Sequence, residues 1–453
     1  MATTNGFPPT TCKSSSIFSL KEISHSHRHR PFTLAGTLNL VDFAPSGSTI
    51  QALAVEAVNR MMSDWLLFLN EAGAYYPVAA RNKNHWYFPV FHAQTWVLTG
   101  RGVPVGPDNW KHQMMGQFMA LTSFNFDALE ASWEPVIDRV FSIGHGVEDL
   151  MTVHGDLPRE ERVLYQWTAG YVVQAETVNE SLFGVRFYEL IGSNLLFDML
   201  YTVIGWIPDF MAQFFFSLFP GQTQGTGMAG AKVHLYKNNG VVLTSLEDYF
   251  PGTRGFEQFP WVATVHDIAV FTQAGPDGRC LRGEISNTHL PNIVQEGNVA
   301  LISYKPRWDV RFPFRFLGPI IGFNLQVALA FPYDQFDEVA ERGNWIVGRK
   351  ENSYIGVWRY NGAEEYDCSR ALANGDVCDQ YYFSRGRTVN KASVWAVVVG
   401  NNETHGSFDN FVSVVEQGTV QESSPSVIET FLFFQGFYRT GLTVDGTTLS
   451  SEM

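Results

Sequence analysis

Cysteine is scarce in this chain, with four in 453 residues. A fold held together by a dense disulfide framework is thereby excluded. Cys368 and Cys378 close the short polar loop YDCSRALANGDVC and stand equally as a disulfide staple or as two free thiols; Cys12 and Cys280 have no evident mate. Charged residues make up only 17%, and 31 Lys and Arg against 45 Asp and Glu leave a formal net charge of −14. The basic footprint that broad nucleic-acid or anionic-membrane binding requires is missing, while a local basic cleft for an acidic polymer is compatible with that total. Glycine-rich phosphate loops, nucleophile elbows and Cys/His metal motifs do not occur, so nucleotide, serine-hydrolase and zinc-protease readings have no support. An uninterrupted apolar span is lacking too. Leu195–Phe219 is long and aromatic, but Asp198, Pro208 and Asp209 break it, and carboxylates are costly in lipid; it reads as buried helices. Met1 to Phe32 lacks the apolar core of a secretory signal and carries HSHRHR at His25–Arg30. It reads as a disordered leader able at most to bind metal weakly.

What is present is the composition of a folded protein: 45% hydrophobic, with aromatics at 14%. Rings in that number serve core packing, and carbohydrate-binding clefts also consume them. The length implies two or three domains. Two glycosylation sequons, Asn179-Glu180-Ser181 and Asn402-Glu403-Thr404, fit a secreted protein.

The first half reads as helices. From Ile50 to Leu69 apolar residues recur at i, i+3 and i+4, with Ser48 placed to cap. Phe91–Leu98, Asn109–Ser123, Phe126–Ile143, Arg159–Gln174 and parts of Leu182–Phe219 continue the pattern, and no comparable strand signal precedes about residue 230. Successive helices without strands imply a bundle, solenoid or toroid. Between the first two lies Gly73–Trp96, a loop rich in Tyr75, Tyr76, Arg81, Asn82, His85 and Trp86. A second polar cluster, Gly144–Asp156, holds His145, Glu148, Asp149 and His154, a weak zinc candidate.

Past the glycine-rich linker Pro220–Lys232 the period changes to that of strands. Lys232–Lys237, Gly240–Leu246, Trp261–Val265, Ile268–Thr272, Val299–Tyr304, Leu325–Phe331, Asn344–Arg349, Tyr354–Tyr360 and Val394–Val399 are short, β-branched or aromatic, and joined by polar turns. Many strands without long intervening helices imply antiparallel sheets stacked as a sandwich. Gly343–Tyr360 reads as a hairpin turning at Lys350–Ser353, and Phe408–Gln417 as a helix. The stretch Ser245–Pro306 concentrates groups able to do acid–base chemistry: Asp248, Tyr249, Arg254, Gln258, His266 and His289. His234 and His266 alternate with apolar residues and read as outward-facing surface positions. The expected divisions are a leader over 1–44, a helical domain over 45–225, a sandwich over 226–440 and a tail over 441–453.

Four segments carry a resemblance: AGAYYPVAARN with HAQTWVLTGRG; DYFPGTRGFEQFPWVATV…AVFT; THLPNIVQEGNVALISYKP; and FDEVAERGNWIVGRKENSYIGVWR. Together they are similar to the heparinase II/III-like polysaccharide lyases, over roughly residues 45–420. The resemblance implies an incomplete α/α toroid followed by an antiparallel β-sandwich, an α+β multidomain arrangement. It also implies β-elimination on a uronic-acid-containing, acidic polysaccharide. That chemistry needs a group to neutralise the substrate carboxylate, a base for the adjacent proton and an acid for the leaving oxygen. By the resemblance, Tyr76 or Tyr75 would be the acid/base, His92 and His289 candidate bases, and Arg81 and Asn82 the carboxylate holders, with Trp86, Tyr249 and Gln258 as further substrate contacts. His92 is equally readable as an interior histidine of an apolar helix, and His289 as a turn cap. No cofactor is implied firmly; some members carry a structural zinc, and zinc or calcium remains open here. The expected partner is an acidic polysaccharide, without nucleic acid or membrane, and the expected setting is extracellular or at the cell wall, although no signal peptide is visible. The competing expectations are a non-catalytic carbohydrate-binding or cell-wall protein on the same fold, and a hydrolase using Glu148, Asp149 and Asp156.

Overall fold

The structure, a computed structural model, describes residues 29–74, 79–80, 95–97, 99–101, 121–142, 158–168, 177–192, 208, 211–214, 232–247, 258–275, 291–304, 326–359, 363–365, 381–385, 393–423 and 439–452. The helices come first: α1 His29–Phe43, α2 Thr49–Phe68, α3 Asp127–Glu130, α4 Arg159–Thr168 and α5 Val178–Phe187. Two strands lie among them, β1 Ala79–Ala80 and β2 Val136–Ser142. The next eight strands are β3 Lys232–Asn238, β4 Val241–Glu247, β5 Gln258–Phe259, β6 Trp261–Val265, β7 Ile268–Gly275, β8 Asn292–Glu296, β9 Val299–Tyr304 and β10 Gln326–Ala330. After them come β11 Glu338–Arg342, β12 Trp345–Lys350, β13 Ser353–Trp358, β14 Ala363–Glu365, β15 Tyr381–Arg385 and β16 Ser393–Asn401. The chain ends with α6 Asn402–His405, α7 Phe408–Glu416, β17 Thr419–Ser423, β18 Arg439–Val444 and β19 Thr447–Glu452.

Every strand pairing is antiparallel. An eight-stranded sheet runs β14-β15-β10-β7-β6-β4-β3-β2, a six-stranded sheet β11-β12-β13-β16-β9-β8, and β17-β18-β19 form a third. The two large sheets stack. Along β4, Val241 and Leu243 enter the core between them, while Val242 and Leu246 enter a second core under the helices. The same alternation runs through β16, where Trp395, Val397 and Val399 face the first sheet and Val394, Ala396 and Val398 face α7 and the third sheet. A strand covered on both faces has no wet side, and its sequence is apolar almost without interruption. The chain is therefore an α+β protein with a helix layer, two stacked sheets and an outer layer built on α7, Leu442, Val444 and Leu449.

Helix α2 begins where its cap predicts: the Ser48 hydroxyl accepts from the Gln51 N–H, and Ala54, Val58, Met61, Met62, Trp65 and Leu66 form its buried face. Its end is held unusually. The fully buried Lys237 ammonium donates to the carbonyls of Leu66 at 3.1 Å and Leu69 at 3.2 Å, a cation at a helix C-terminus. The Trp133 indole N–H donates to the Leu69 carbonyl as well, at 3.0 Å. A strand residue thus ties the helix layer to the eight-stranded sheet.

Three sequence expectations are corrected. Val136–Ser142 is an edge strand paired with β3 from Val136↔Asn238 to Ser142↔Lys232, not a helix. Ile137 is buried while Val136 and Val140 are exposed, the period of two that one covered face dictates. Residues 29–43 of the expected leader form α1, whose Leu34, Leu38 and Val41 pack into the helix-side core. The expected tail from residue 441 lies in β18 and β19.

Candidate functional site

Most residues singled out in the sequence, Tyr75, Tyr76, Arg81, Asn82, Trp86, His92, Tyr249 and His289, lie outside the described residues, as do Asp248, Arg254, the Gly144–Asp156 cluster and all four cysteines. Gln258 is placed by its backbone. Strands β1 and β5 pair antiparallel in the register Ala79↔Phe259 and Ala80↔Gln258. The peptide that leads directly into Arg81 and Asn82 therefore runs alongside Gln258. This is a junction between the polar loop of the helical half and the acid–base-rich stretch of the sheet half.

A second polar locus is described in full. Where hairpin turns of the two large sheets meet, a cleft of about 460 Å³ opens, lined among others by Glu71, His266, Glu351, Ser353 and Glu403. Its size is in the range of small-molecule sites. The turns that build it are short: Asn239-Gly240 joins β3 to β4, His266-Asp267 joins β6 to β7, and Glu351-Asn352 joins β12 to β13. Asn239, His266 and Glu351 have φ of 50°, 54° and 51°, so three of the five non-glycine residues with positive φ among those described stand around this cleft.

Asparagines stitch the turns together. Asn70, fully buried after α2, donates through Nδ2 to the carbonyls of His266 at 2.5 Å and Gly240 at 3.2 Å, and its Oδ1 accepts from the Ala74 N–H. Asn239 Nδ2 donates to Glu403 Oε2 at 2.7 Å, and Asn401 Nδ2 to Asn238 Oδ1 at 2.9 Å. Asn402 donates to Asn352 Oδ1 at 2.8 Å and accepts from the Tyr354 hydroxyl. The amides of one turn thereby satisfy the next, which leaves the carboxylates as the chemistry facing the opening.

His266 is the one imidazole here among the described residues. Its Nδ1 lies 3.1 Å from Asp267 Oδ1 and its Nε2 lies 3.4 Å from Glu351 Oε2. The Asp267 hydrogen bond, more than the Glu351 charge, holds the imidazole above its ordinary value of 6.5, against burial and the nearby Lys350. The same contact holds the Asp267 carboxyl below the usual range. His266 thus holds its proton more tightly than a free imidazole does, and it occupies a turn rather than the outward strand position read from the sequence. His234 faces Glu247, with Nε2 3.0 Å from Oε2.

Beside the cleft, Thr404 Oγ1, His405 and Asp445 stand at 2.7 Å and 3.2 Å, spacings that a hydroxyl-nucleophile triad would show. The Thr404 hydroxyl is engaged: it accepts from the Asn401 N–H at 3.0 Å while Asn401 caps α6 in return, a capping box. His405 packs edge-on against Phe411 at 4.8 Å between ring centres. The trio is structural, and with it the sequon Asn402-Glu403-Thr404 forms the first turn of a helix. Among the described residues no group of three or more His, Cys, Asp or Glu is arranged to hold a metal ion. No described helix is long and apolar enough to cross a membrane.

Reading the sequence missed this cleft. Its residues come from positions 71 to 403, each an ordinary polar turn residue in isolation. The usable signal was the run of short polar turns between strongly apolar strands, since alternate hairpin turns of stacked sheets collect at one end.

No family model matches the chain, and no curated protein matches it. Among solved structures, a mutant of the heparan sulfate lyase HepC from Pedobacter heparinus aligns with 99% of this chain and 76% of its own length, at 10% identity and a TM-score of 0.27.

Proposed function

We propose that this chain is a polysaccharide lyase that cleaves an acidic, uronate-containing polysaccharide by β-elimination. The observation that supports this most directly is the β1–β5 pairing, which sets the chain entering Arg81 and Asn82 beside Gln258. A loop rich in tyrosine, arginine and asparagine is thereby tethered to the sheet segment that also carries Tyr249 and His289. Substrate sites favour such meetings of two structural layers. On this reading the helices belong to an incomplete α/α toroid, the domain division falls near residue 225, and the polymer lies between toroid and sandwich.

The reaction assigns each group a task. Arg81 and Asn82 neutralise the uronate carboxylate, which makes the adjacent carbon acidic enough to lose its proton. His92 or His289 takes that proton, and Tyr76 or Tyr75 gives one to the departing glycosidic oxygen. The carbon–oxygen bond breaks as a carbon–carbon double bond forms in the new end sugar, so no water and no redox partner is consumed. Polymers of this class lie outside cells, which places the activity there or at the cell wall.

Conjugation of the new double bond with the carboxylate gives ultraviolet absorbance. Incubation with glucuronan, alginate, heparin-type and pectin-type polymers should raise absorbance on at least one of them. Tyr76→Phe and Arg81→Ala should each slow that rise by about 100-fold or more. A flat trace on all four overturns the reading; retention on a glycan column with that flat trace would favour a binding protein on the same fold.

A further inference from the structure

The core between the two large sheets holds two polar oxygens that the lyase reading does not use. Ser245 of β4 is fully buried, and Gln295 of β8 is 4% exposed. Neither the Ser245 hydroxyl nor Gln295 Oε1 has a hydrogen-bond partner among the described residues. A buried polar group left in that condition costs free energy unless something from outside completes it.

Both groups point into the same space. Along β4, Val241 and Leu243 face the intersheet core, and the period of two turns Ser245 the same way. On β8, Gln295 stands opposite Ala300 and two residues from Ile293, both members of that core. Gln295 straddles the serine: its Nε2 donates to the Leu243 carbonyl at 3.2 Å, and its backbone N–H donates to Glu247 Oε1 at 2.7 Å. Nε2 also donates to the Gly297 carbonyl at 3.0 Å, so both amide hydrogens are engaged. Turning the amide over would set its oxygen against two carbonyls, which fixes Oε1 as the atom that needs a donor. The Ser245 hydroxyl could donate, but it does not reach Oε1. His234, directly across from Ser245 in the β3–β4 register, is turned to Glu247 instead, with Nε2 3.0 Å from Oε2.

We propose that a single water molecule is held between the sheets at this point, accepting from Ser245 Oγ and donating to Gln295 Oε1. One orphan can give a proton and the other must receive one, so the bridging group has to be donor and acceptor at once. An ion would leave bulk water for two neutral groups and gain too little in return, whereas water with two or more polar partners is a regular part of protein interiors. The bridge joins β4 of the eight-stranded sheet to β8 at the edge of the six-stranded sheet. The proposal goes beyond the lyase reading and is independent of it.

A crystal structure of the full chain, at a resolution that shows ordered solvent, tests the site directly. A density peak should lie about 2.5–3.0 Å from both Ser245 Oγ and Gln295 Oε1. Oxygen-17 relaxation dispersion of the same protein in solution counts its long-lived internal waters. Ser245→Val removes the hydroxyl and fills its surroundings with methyl groups, and the count should fall by one. Ser245→Ala only removes an atom, so it keeps the measurement usable if valine is not tolerated; with one partner left, the water should exchange faster and drop out of the long-lived count as well. Absence of the density peak overturns the proposal. So does a Ser245 hydroxyl bonded directly to Gln295 Oε1 or to a backbone carbonyl, or an unchanged water count in a folded Ser245 variant.

Discussion

His266 and Glu351 face each other across the sandwich, with Nε2 3.4 Å from Oε2, one on a turn of the eight-stranded sheet and the other on a turn of the six-stranded sheet. Asp267 completes the arrangement at 3.1 Å from the other ring nitrogen and is the larger influence on the imidazole. The folded state raises the affinity of His266 for its proton. Its stabilisation is therefore fully present below 6.5 and is lost as pH rises through the higher folded value. Asp267 runs the other way: its contribution is present above 3.8 and fades as pH falls through its lowered value. The turn needs positive φ at 266, so His266→Asn is the informative variant, asparagine being at ease there. Thermal melts across the range just above 6.5 should show the native chain losing stability and His266→Asn losing less. The difference is about 1 kcal/mol or smaller, since Glu351 is exposed and screened. Parallel curves for the two proteins would refute the linkage.

Lys237 carries a pH dependence of opposite sign. Burial lowers its ammonium from 10.5 to about 7; Glu134 opposes the shift, and Arg101 and Arg139 add to it. Between those two values the unfolded chain holds more protons than the folded one, so stability should climb with pH across that window and lie at its minimum contribution below about 7. Lys237→Met removes the titration along with the two bonds to Leu66 and Leu69. Lost caps and relieved desolvation oppose each other, so the diagnostic is the slope rather than the level. Chemical denaturation at several alkaline pH values should show the slope flatten by an amount on the order of a few kcal/mol over the window. An unchanged slope would place the titration elsewhere.

Within the intersheet core a hydroxyl serves two neighbours. Thr272 Oγ1 accepts from the Trp261 indole N–H at 2.7 Å and meets the Tyr304 hydroxyl at 2.8 Å, with all three residues fully buried. Burial outweighs these bonds and pushes the Tyr304 phenol well above its usual range. Thr272→Val keeps the shape and strands polar groups on both sides, at about 1–3 kcal/mol. Tyr304→Phe leaves the Trp261–Thr272 bond in place and should cost about 1 kcal/mol or less. Urea denaturation of the two variants checks the order; a costlier Tyr304→Phe would contradict it.

The strands were legible because their physics is local. β6 and β9 occur with the bounds that their apolar runs predicted, Trp261–Val265 and Val299–Tyr304, since strands covered on both faces admit few polar residues. Ser48 capped α2 as its hydroxyl suggested. β2 was misread because Glu134, Asp138 and Arg139 space its apolar residues in a way that suits either period, and only pairing with β3 decides. The cleft was illegible for a different reason: Glu71, His266, Ser353 and Glu403 acquire a joint meaning only when the turns meet. Of the residues proposed for elimination, the register Ala80↔Gln258 is the part that coordinates add.

The approach of α7 to the six-stranded sheet depends on a missing side chain. A Cβ on Gly356 in β13 would stand 2.8 Å and 3.2 Å from the two γ-methyls of Val415, a residue fully buried on α7. Helix and strand both carry small or β-branched residues here, so neither can withdraw without opening the core that Phe408, Phe411 and Val412 share with Tyr354. Gly356→Ala should therefore destabilise by about 1–3 kcal/mol through overpacking, despite the lower chain entropy that alanine brings to the unfolded state. Val415→Ala on its own should destabilise through the cavity it leaves. In the double variant the new methyl enters the space vacated by valine, and the combined cost should fall short of the sum by at least about 0.5 kcal/mol. Denaturant melts of the four proteins close the cycle. Strict additivity would mean that the crowding at 356 is relieved elsewhere, by α7 sliding as a body over β13 rather than by the contact between these two residues.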